Sequence, residues 1–160
     1  MSYENGLGLP KVAVVMATFN GAEFIVEQLL SIQSQVGVDL TLFISDDCSS
    51  DPTLSLVSEF VNSVNCTIRV VIISKGVKYG SATSNFLNAL INTPILEYDY
   101  ICFSDQDDIW LPKKLERAIS VMRSGCFLGY SSNILCWDPE TGHTSLVKKD
   151  GAQTEYDYMF

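Results

Sequence analysis

Asp105-Gln106-Asp107-Asp108 gathers three carboxylates into four residues, and Asp46-Asp47 sets two more side by side earlier in the chain. Hard anionic oxygens of this kind suit Mg²⁺ or Mn²⁺, ions usually held by one or two carboxylates with substrate phosphates completing the shell. Like charges so close repel by more than about 1 kcal/mol per pair at intermediate dielectric, so such a cluster needs a cation or raised pKa values. Both runs also have a plainer reading. Acids are favoured ahead of a helix start such as Ile109-Trp110-Leu111-Pro112, and Asp-Asp-Cys-Ser-Ser-Asp-Pro is an ordinary turn leading to a helix cap.

Several chemistries fail at named positions. A calcium loop of the EF-hand type has Glu116 at its twelfth place but Trp110 where glycine is required. An aspartyl phosphatase would want threonine two residues after Asp107, and Ile109 stands there. The phosphate-cradling patterns GxxxxGK[ST] and GxGxxG do not occur. His143 is the sole histidine and falls in a polar stretch, so it reads as exposed and leaves no Ser-His or Cys-His pair. Lys75 and Lys78 can meet a phosphate or simply solvate a loop.

The elements that must position these residues are legible in the switching hydrophobic period. Strands are expected at Val12 to Ala17, Leu40 to Ser45, Ile68 to Ile73, Asp99 to Ser104 and Phe127 to Trp137. Between them, apolar residues recur at helical spacing: Ala22, Ile25, Leu29, Ile32 and Val36; then Leu54, Val57, Phe60, Val61 and Val64, behind an Asp51-Pro52 cap. Phe86, Leu87, Leu90 and Ile91 follow a Ser81 cap, and Leu115, Ala118, Ile119 and Met122 follow Leu111-Pro112. No element is expected beyond Asp138. Repeated strand-helix alternation implies an α/β fold, a doubly wound and mostly parallel sheet with helices on both faces.

In such a sheet, ligands bind outside the carboxyl ends of the strands at the topological switch point. The residues at those ends are Thr18, Phe19 and Asn20; Ser45, Asp46 and Asp47; Ser74 and Lys75; and Asp105 to Asp108. Five carboxylates are thereby expected on one rim. A strand-end carboxylate beside Phe19 can accept the ring N–H of a pyrimidine while the phenyl ring offers a stacking face.

Composition bounds the partners. The 160 residues carry 10 Lys+Arg against 19 Asp+Glu, a formal charge of −9, with a pI near 4.4 and a mean hydropathy of +0.18. Nucleic acid is therefore a poor partner. A chain this long buries roughly 70 % of its unfolded surface, enough for one domain without disulfides. Cys48, Cys66, Cys102, Cys126 and Cys136 are odd in number and mostly lie in apolar runs, which reads as reduced, packed thiols. The start has no signal-peptide pattern and no run reaches the ~18 apolar residues of a membrane span, so a soluble cytoplasmic chain is expected and the Asn65-Cys66-Thr67 sequon is a chance match.

The segments VAVVMATFNGAEFIVEQLLSIQSQ, LFISDDCSSDPT and YICFSDQDDIWLPKKLERAI together resemble the inverting glycosyltransferases of family 2, closest to bacterial rhamnosyltransferase-like members, over roughly residues 10 to 137. The resemblance implies a Rossmann-like GT-A fold. It also implies transfer of a sugar from a nucleotide-diphosphate donor such as dTDP-rhamnose to an acceptor hydroxyl in cell-surface polysaccharide synthesis. By motif match, Thr18, Phe19, Asn20, Glu23, Asp46, Asp47, Asp105 and Gln106 would bind the nucleotide sugar, and Asp105 and Asp107 would hold Mn²⁺ or Mg²⁺, with Asp108 capping the next helix. Departures are Ala17 where proline is frequent, Phe19 where tyrosine is usual, and Cys48 where glycine is usual. Family members carry the base that deprotonates the acceptor downstream. Asp150, Glu155 and Asp157 are poor candidates for it, so residues 1–160 read as a single nucleotide-sugar-binding domain cut short of its acceptor half, weakly defined at 1–10 and 138–160. Acceptors of the family are often lipid-linked, which puts contact with the inner face of the membrane within its expectations. A non-catalytic nucleotide-sugar-binding module and an Asp-based phosphohydrolase are the competing readings.

Overall fold

The computed structural model describes residues 8–74, 76–138 and 140–149. They form two compact units that divide between Glu116 and Arg117. The first holds β1 (Lys11–Thr18), α1 (Ile25–Gln33), β2 (Asp39–Asp46), α2 (Thr53–Asn62), β3 (Arg69–Ser74), α3 (Ala82–Ile91), a 3-10 turn (Ile95–Glu97) and β4 (Tyr100–Ser104). Helix α4 (Lys114–Gly125) runs across the division, and the second unit holds β5 (Ile134–Trp137) and β6 (Thr144–Val147).

The four strands of the first unit pair in parallel in the order β3-β2-β1-β4. Every residue of β1 from Val12 to Thr18 is buried, so both faces of this strand are covered, and that is why its sequence runs apolar without alternation. The chain steps outward from β1 to β2 to β3 and then returns to the far side of β1 as β4. The switch point therefore lies between β1 and β4, where the register sets Met16 beside Ser104.

Ile25, Leu29 and Ile32 are fully buried on α1, as their spacing predicts. The helix starts later than Ala22 because Gly21 turns the chain, its carbonyl accepting from the N–H groups of Phe24 and Ile25 at 3.0 and 2.9 Å. Val36 lies past its end and is exposed. Helix α2 buries Val57 and Phe60 but ends at Asn62, leaving Val61 and Val64 exposed. Its capping acceptor is the Asp51 carboxylate, which takes the Thr53 N–H at 3.0 Å.

Ser81 caps α3 by accepting the Ser84 N–H at 3.2 Å. The buried positions on this helix are Asn85 and Ala89, and Leu87 and Ile91 stay exposed. The apolar stripe gives way there because Asn85 donates to carbonyls at the ends of β1 and β2. Helix α4 begins at Lys114, since the Pro112 carbonyl is taken by the Val36 N–H at 3.0 Å; Leu115 and Ile119 are buried and Leu111 is exposed.

The expected strand from Phe127 to Trp137 is confined to Ile134–Trp137, because Gly129 and Ser131-Ser132-Asn133 interrupt the run. It pairs antiparallel with β6, a strand beyond Asp138 where none was expected, instead of extending the parallel sheet. Asp138 makes that hairpin: its carboxylate accepts from the Thr141 hydroxyl at 2.6 Å and the Glu140 N–H at 2.9 Å, and Gly142 follows at φ +67°. Those donors hold the Asp138 carboxyl below its ordinary range.

All five cysteines are free, but Cys48, Cys126 and Cys136 are exposed and so are not the packed thiols their apolar neighbours suggest. Burial pushes the Cys102 thiol up to about 11, with the Lys114 charge pulling the other way. Among the described residues no helix is long and apolar enough to cross a membrane. A polar cleft of about 440 Å³ opens at the amino ends of the strands, lined by residues that include Lys11, Asp39, Arg69 and Glu97.

Two neighbours on α1 test this packing: Leu29 is fully buried and Leu30 is 51 % exposed. Leu29→Ala should cost about 2–5 kcal/mol in urea unfolding, whereas Leu30→Ala should stay within about 0.5 kcal/mol. Equal costs would contradict the assigned face.

Candidate functional site

The loops that leave β1 and β2 are laced together. Thr18 donates its hydroxyl to Asp46 Oδ2 at 3.0 Å, and the same carboxylate accepts the Ser49 N–H at 2.8 Å and the Ser49 hydroxyl at 2.5 Å. Asn20 adopts φ +47°, a left-handed turn that asparagine tolerates, and its Oδ1 accepts the Ser50 N–H at 2.8 Å. Its own N–H goes to Ser49 Oγ at 2.9 Å, the Gly21 N–H to Thr53 Oγ1 at 2.8 Å, and the Ala22 N–H to Asp51 Oδ2 at 3.0 Å. Asp51 also accepts the Thr53 hydroxyl, and together these donors hold its carboxyl low despite desolvation.

Asp47 is equally engaged. Its N–H donates to the Thr18 carbonyl at 2.8 Å, while its carboxylate accepts the backbone N–H groups of Tyr79 and Gly80, the latter at 3.0 Å. Asn85, from α3, donates to the Thr18 and Ser45 carbonyls at 3.2 and 2.9 Å, spanning the ends of β1 and β2. Its Oδ1 is buried with no hydrogen-bond partner among the described residues.

On the other side of the switch point, α1 carries the acidic turn. Gln28, buried, donates from Nε2 to Ser104 Oγ at 2.7 Å and to the Asp105 carbonyl at 3.2 Å. Ser31 Oγ accepts the Trp110 N–H at 3.1 Å, and Gln35 donates to the Leu111 carbonyl at 2.9 Å while accepting the Leu115 N–H at 3.1 Å. Trp110 is buried, with Lys114 Nζ 5.0 Å from its ring centroid. Sequence reasoning missed Gln28, Ser31 and Gln35. Their signal was polar residues spaced three and four apart beside the apolar stripe, Gln28 and Ser31 on α1 and Gln35 just past its end.

One side chain closes the gap between the two sides. Gln106 Oε1 accepts the Phe19 N–H at 2.9 Å, and Gln106 Nε2 donates to the Phe19 carbonyl at 3.0 Å. Gly21 is required beneath it, because a Cβ there would collide with the Gln106 amide.

The residues that the resemblance assigns to the site fall into an exposed and a buried group. Phe19, Asn20, Glu23, Asp105, Asp107 and Asp108 are exposed, Phe19 on the loop after β1 and the three aspartates on the turn after β4. Thr18, Asp46 and Asp47 are buried and engaged by the chain's own donors, and Gln106 is half-buried in its clasp. The expected rim of five carboxylates is corrected: Asp105, Asp107 and Asp108 stand exposed on one turn, whereas Asp46 and Asp47 are buried among hydroxyl and N–H donors. Lys75, Asp150, Glu155 and Asp157 lie outside the described residues, and Lys78 is exposed.

Partial burial raises the Asp105 carboxyl above its usual range, and the charges of Asp108 and Asp107 raise it further. That is the electrostatic condition a divalent cation would relieve. Among the described residues no three His, Cys, Asp or Glu side chains converge on a metal position. The donor set therefore fits Mg²⁺ or Mn²⁺ held jointly with phosphate oxygens, and it does not fit a cage made of protein alone.

Asp46 and Cys48 give opposite tests of this loop. Asp46→Ala strands three donors and should cost about 3 kcal/mol in denaturant unfolding. Cys48 sits at φ +63°, so Cys48→Gly should be neutral or stabilising by up to about 1 kcal/mol. A costly Cys48→Gly would overturn that left-handed backbone conformation.

The chain is similar to known proteins. Residues 13–159 match the model of glycosyl transferase family 2. The chain is 43 % identical over 145 residues to the dTDP-rhamnosyl transferase RfbG of Shigella flexneri, covering 91 % of this chain and 49 % of that protein. It is 32 % identical over 114 residues to the Escherichia coli UDP-Glc:alpha-D-GlcNAc-diphosphoundecaprenol beta-1,3-glucosyltransferase WfgD, covering 69 % of this chain and 40 % of that one. The chain thus spans about half the length of these relatives or less. Among solved structures, TarS 1-349 of S. aureus in complex with UDP is 26 % identical with a TM-score of 0.58, over 71 % of this chain and 32 % of that one. A Pyrobaculum calidifontis mannosyltransferase in complex with GDP-Man and Mn²⁺ superposes with a TM-score of 0.63 at 20 % identity, over 82 % of this chain and 36 % of that one. The parallel sheet, the return of the chain across β1 and these likenesses agree: the chain has the GT-A fold and belongs to glycosyl transferase family 2.

Proposed function

We propose that this chain binds the donor of a metal-assisted, inverting glycosyltransferase, a nucleotide-diphospho-sugar for which dTDP-rhamnose is the leading candidate. The observation that carries the reading is the pairing of an exposed aromatic residue, Phe19 after β1, with an exposed acidic turn, Asp105 to Asp108 after β4, on the adjacent strand ends that Gln106 joins. A nucleoside diphosphate needs that combination: a flat apolar face for the base and a cation site for the diphosphate. The name of RfbG supports the deoxysugar, and the complex of the Pyrobaculum enzyme supports Mn²⁺.

In this reading Phe19 stacks on the base, and Asp47, oriented by the Tyr79 and Gly80 N–H groups, offers its remaining lone pairs to a ring N–H. Thr18 and Asp46 hold the loop in shape. Asp105 and Asp107 would hold the cation, which when bound supplies Lewis-acid stabilisation of the charge developing on the departing diphosphate. A carboxylate that takes the acceptor's proton completes an inverting transfer. The acceptor is proposed to be a growing cell-surface saccharide, lipid-linked as in the name of WfgD, with the protein working at the cytoplasmic face of the membrane.

Calorimetric titration with dTDP and with UDP, each with and without MnCl₂, tests the proposal. Affinity should rise on adding Mn²⁺, and Asp107→Ala should remove at least about tenfold of that affinity, about 1.4 kcal/mol. Binding indifferent to Mn²⁺, or unchanged in Asp107→Ala, would defeat it; covalent trapping of beryllofluoride on Asp105 or Asp107 would favour a phosphohydrolase instead.

A further inference from the structure

We propose that the cleft at the amino ends of the strands is a second binding site, and that its ligand is a neutral saccharide of one or two sugar residues. The inference goes beyond the donor-binding reading and does not rest on it. The length of β1, eight residues or about 25 Å, separates this cleft from the strand ends described above. At about 440 Å³ it falls within the usual range of small-molecule pockets, about 300–1,000 Å³.

Lys11, Asp39 and Arg69 open β1, β2 and β3, and Glu97 and Tyr98 lie just ahead of β4; all five line the cleft. Lys11 and Asp39 occupy directly paired positions on neighbouring strands, yet among the described residues neither they nor Arg69 and Glu97 close an ion pair. Thr41, the register partner of Arg69, is 7 % exposed, and its hydroxyl has no hydrogen-bond partner among the described residues. Thr41 also lines the cleft, so the cleft is where a partner can reach it. A buried hydroxyl left unmet costs stability, and valine would fill the same space on a strand without that cost. Tyr98 is half-buried, its ring T-shaped against Phe43 at 5.6 Å between centroids, which fixes the ring in the wall.

The lining selects the ligand. Its two cations and two carboxylates cancel in net charge, so it exerts no general pull on a phosphate or an ammonium ion. It offers donors and acceptors mixed at close range: ammonium and guanidinium groups only donate, carboxylates only accept, and the Thr41 hydroxyl does both. Sugar hydroxyls also donate and accept, so one polyol meets both sets, where a phosphate would oppose the carboxylates. A zwitterionic amino acid would meet one charge of each sign and leave the others. The C–H face of a sugar needs an apolar surface as well, and the Tyr98 ring supplies it.

The test is a ¹H–¹⁵N correlation titration of the labelled chain with methyl α-L-rhamnoside and with N,N′-diacetylchitobiose, and separately with sodium phosphate and with glycine at matched ionic strength. At least one of the two saccharides should give saturable shifts, with half-saturation in the millimolar range, at the amides of Asp39, Thr41, Arg69 and Tyr98, while those of Phe19 and Asp107 stay unmoved. Arg69→Ala should weaken that binding at least about tenfold. Thr41→Val should weaken it as well and leave the thermal unfolding midpoint unchanged or higher, a combination that a merely structural threonine would not give. Shifts at these amides with phosphate or glycine but with neither saccharide would overturn the ligand class. Saccharide shifts confined to Phe19 and Asp107 would overturn the site. No saturation by either saccharide up to about 100 mM would overturn the proposal outright, as would a Thr41→Val chain that loses stability and keeps the binding.

Discussion

Four parallel strands that end together leave backbone N–H and C=O groups with no ladder partner, and each must be met by something else or face water. Here they are met by side chains from distant parts of the sequence. Asn85 takes the Thr18 carbonyl that ends β1 and the Ser45 carbonyl one residue before the end of β2, Gln28 takes the Asp105 carbonyl after β4, and Gln106 takes both backbone groups of Phe19. The shape of the crevice follows from this constraint, because the groups that satisfy the strand ends also fix the loops that flank it. Side-chain amides suit these positions, since one planar group donates and accepts at once and does so without a charge that would compete for the cation.

The two carboxylate runs divide along the same line. Asp46 and Asp47 are surrounded by hydroxyl and N–H donors and act as acceptors for the fold, whereas Asp105, Asp107 and Asp108 stand on an exposed turn and repel one another. The net charge of −9 is thus not a uniform property of the surface. Part of it lies on carboxylates met by hydrogen-bond donors inside the loops, and part on the exposed turn, where the charges of Asp108 and Asp107 act on Asp105. A cation joined by a diphosphate would remove that repulsion, which is the physical content of the resemblance to metal-assisted sugar transfer.

Much of this was legible from residue types alone. The unbroken run of β1, the caps at Asp51 and Ser81, and the acidic turn after β4 each carried a local signal, and together they gave the parallel sheet and the strand ends on which the candidate residues lie. What was not legible was non-local. Nothing in the sequence pairs Gln106 with Phe19 or Asn85 with Thr18, and the burial of Asn85 in place of Leu87 follows from strand ends to which hydrophobic periodicity is blind. The same limit explains the polar seam of Gln28 and Ser31 on α1 and Gln35 past its end, and the β5–β6 hairpin, whose signal sat in Asp138 and Gly142.

The central claim is that a nucleoside diphosphate and a divalent cation meet across the crevice between β1 and β4. A crystal structure of the chain with dTDP and Mn²⁺, with the metal located from its anomalous signal, addresses this most directly. The account predicts Mn²⁺ in contact with Asp107 and the diphosphate, thymine against the Phe19 ring, and the Gln106 amide still bonded to the Phe19 backbone. Diphosphate and metal found at the opposite end of the sheet, in the cleft lined by Lys11 and Arg69, would contradict it.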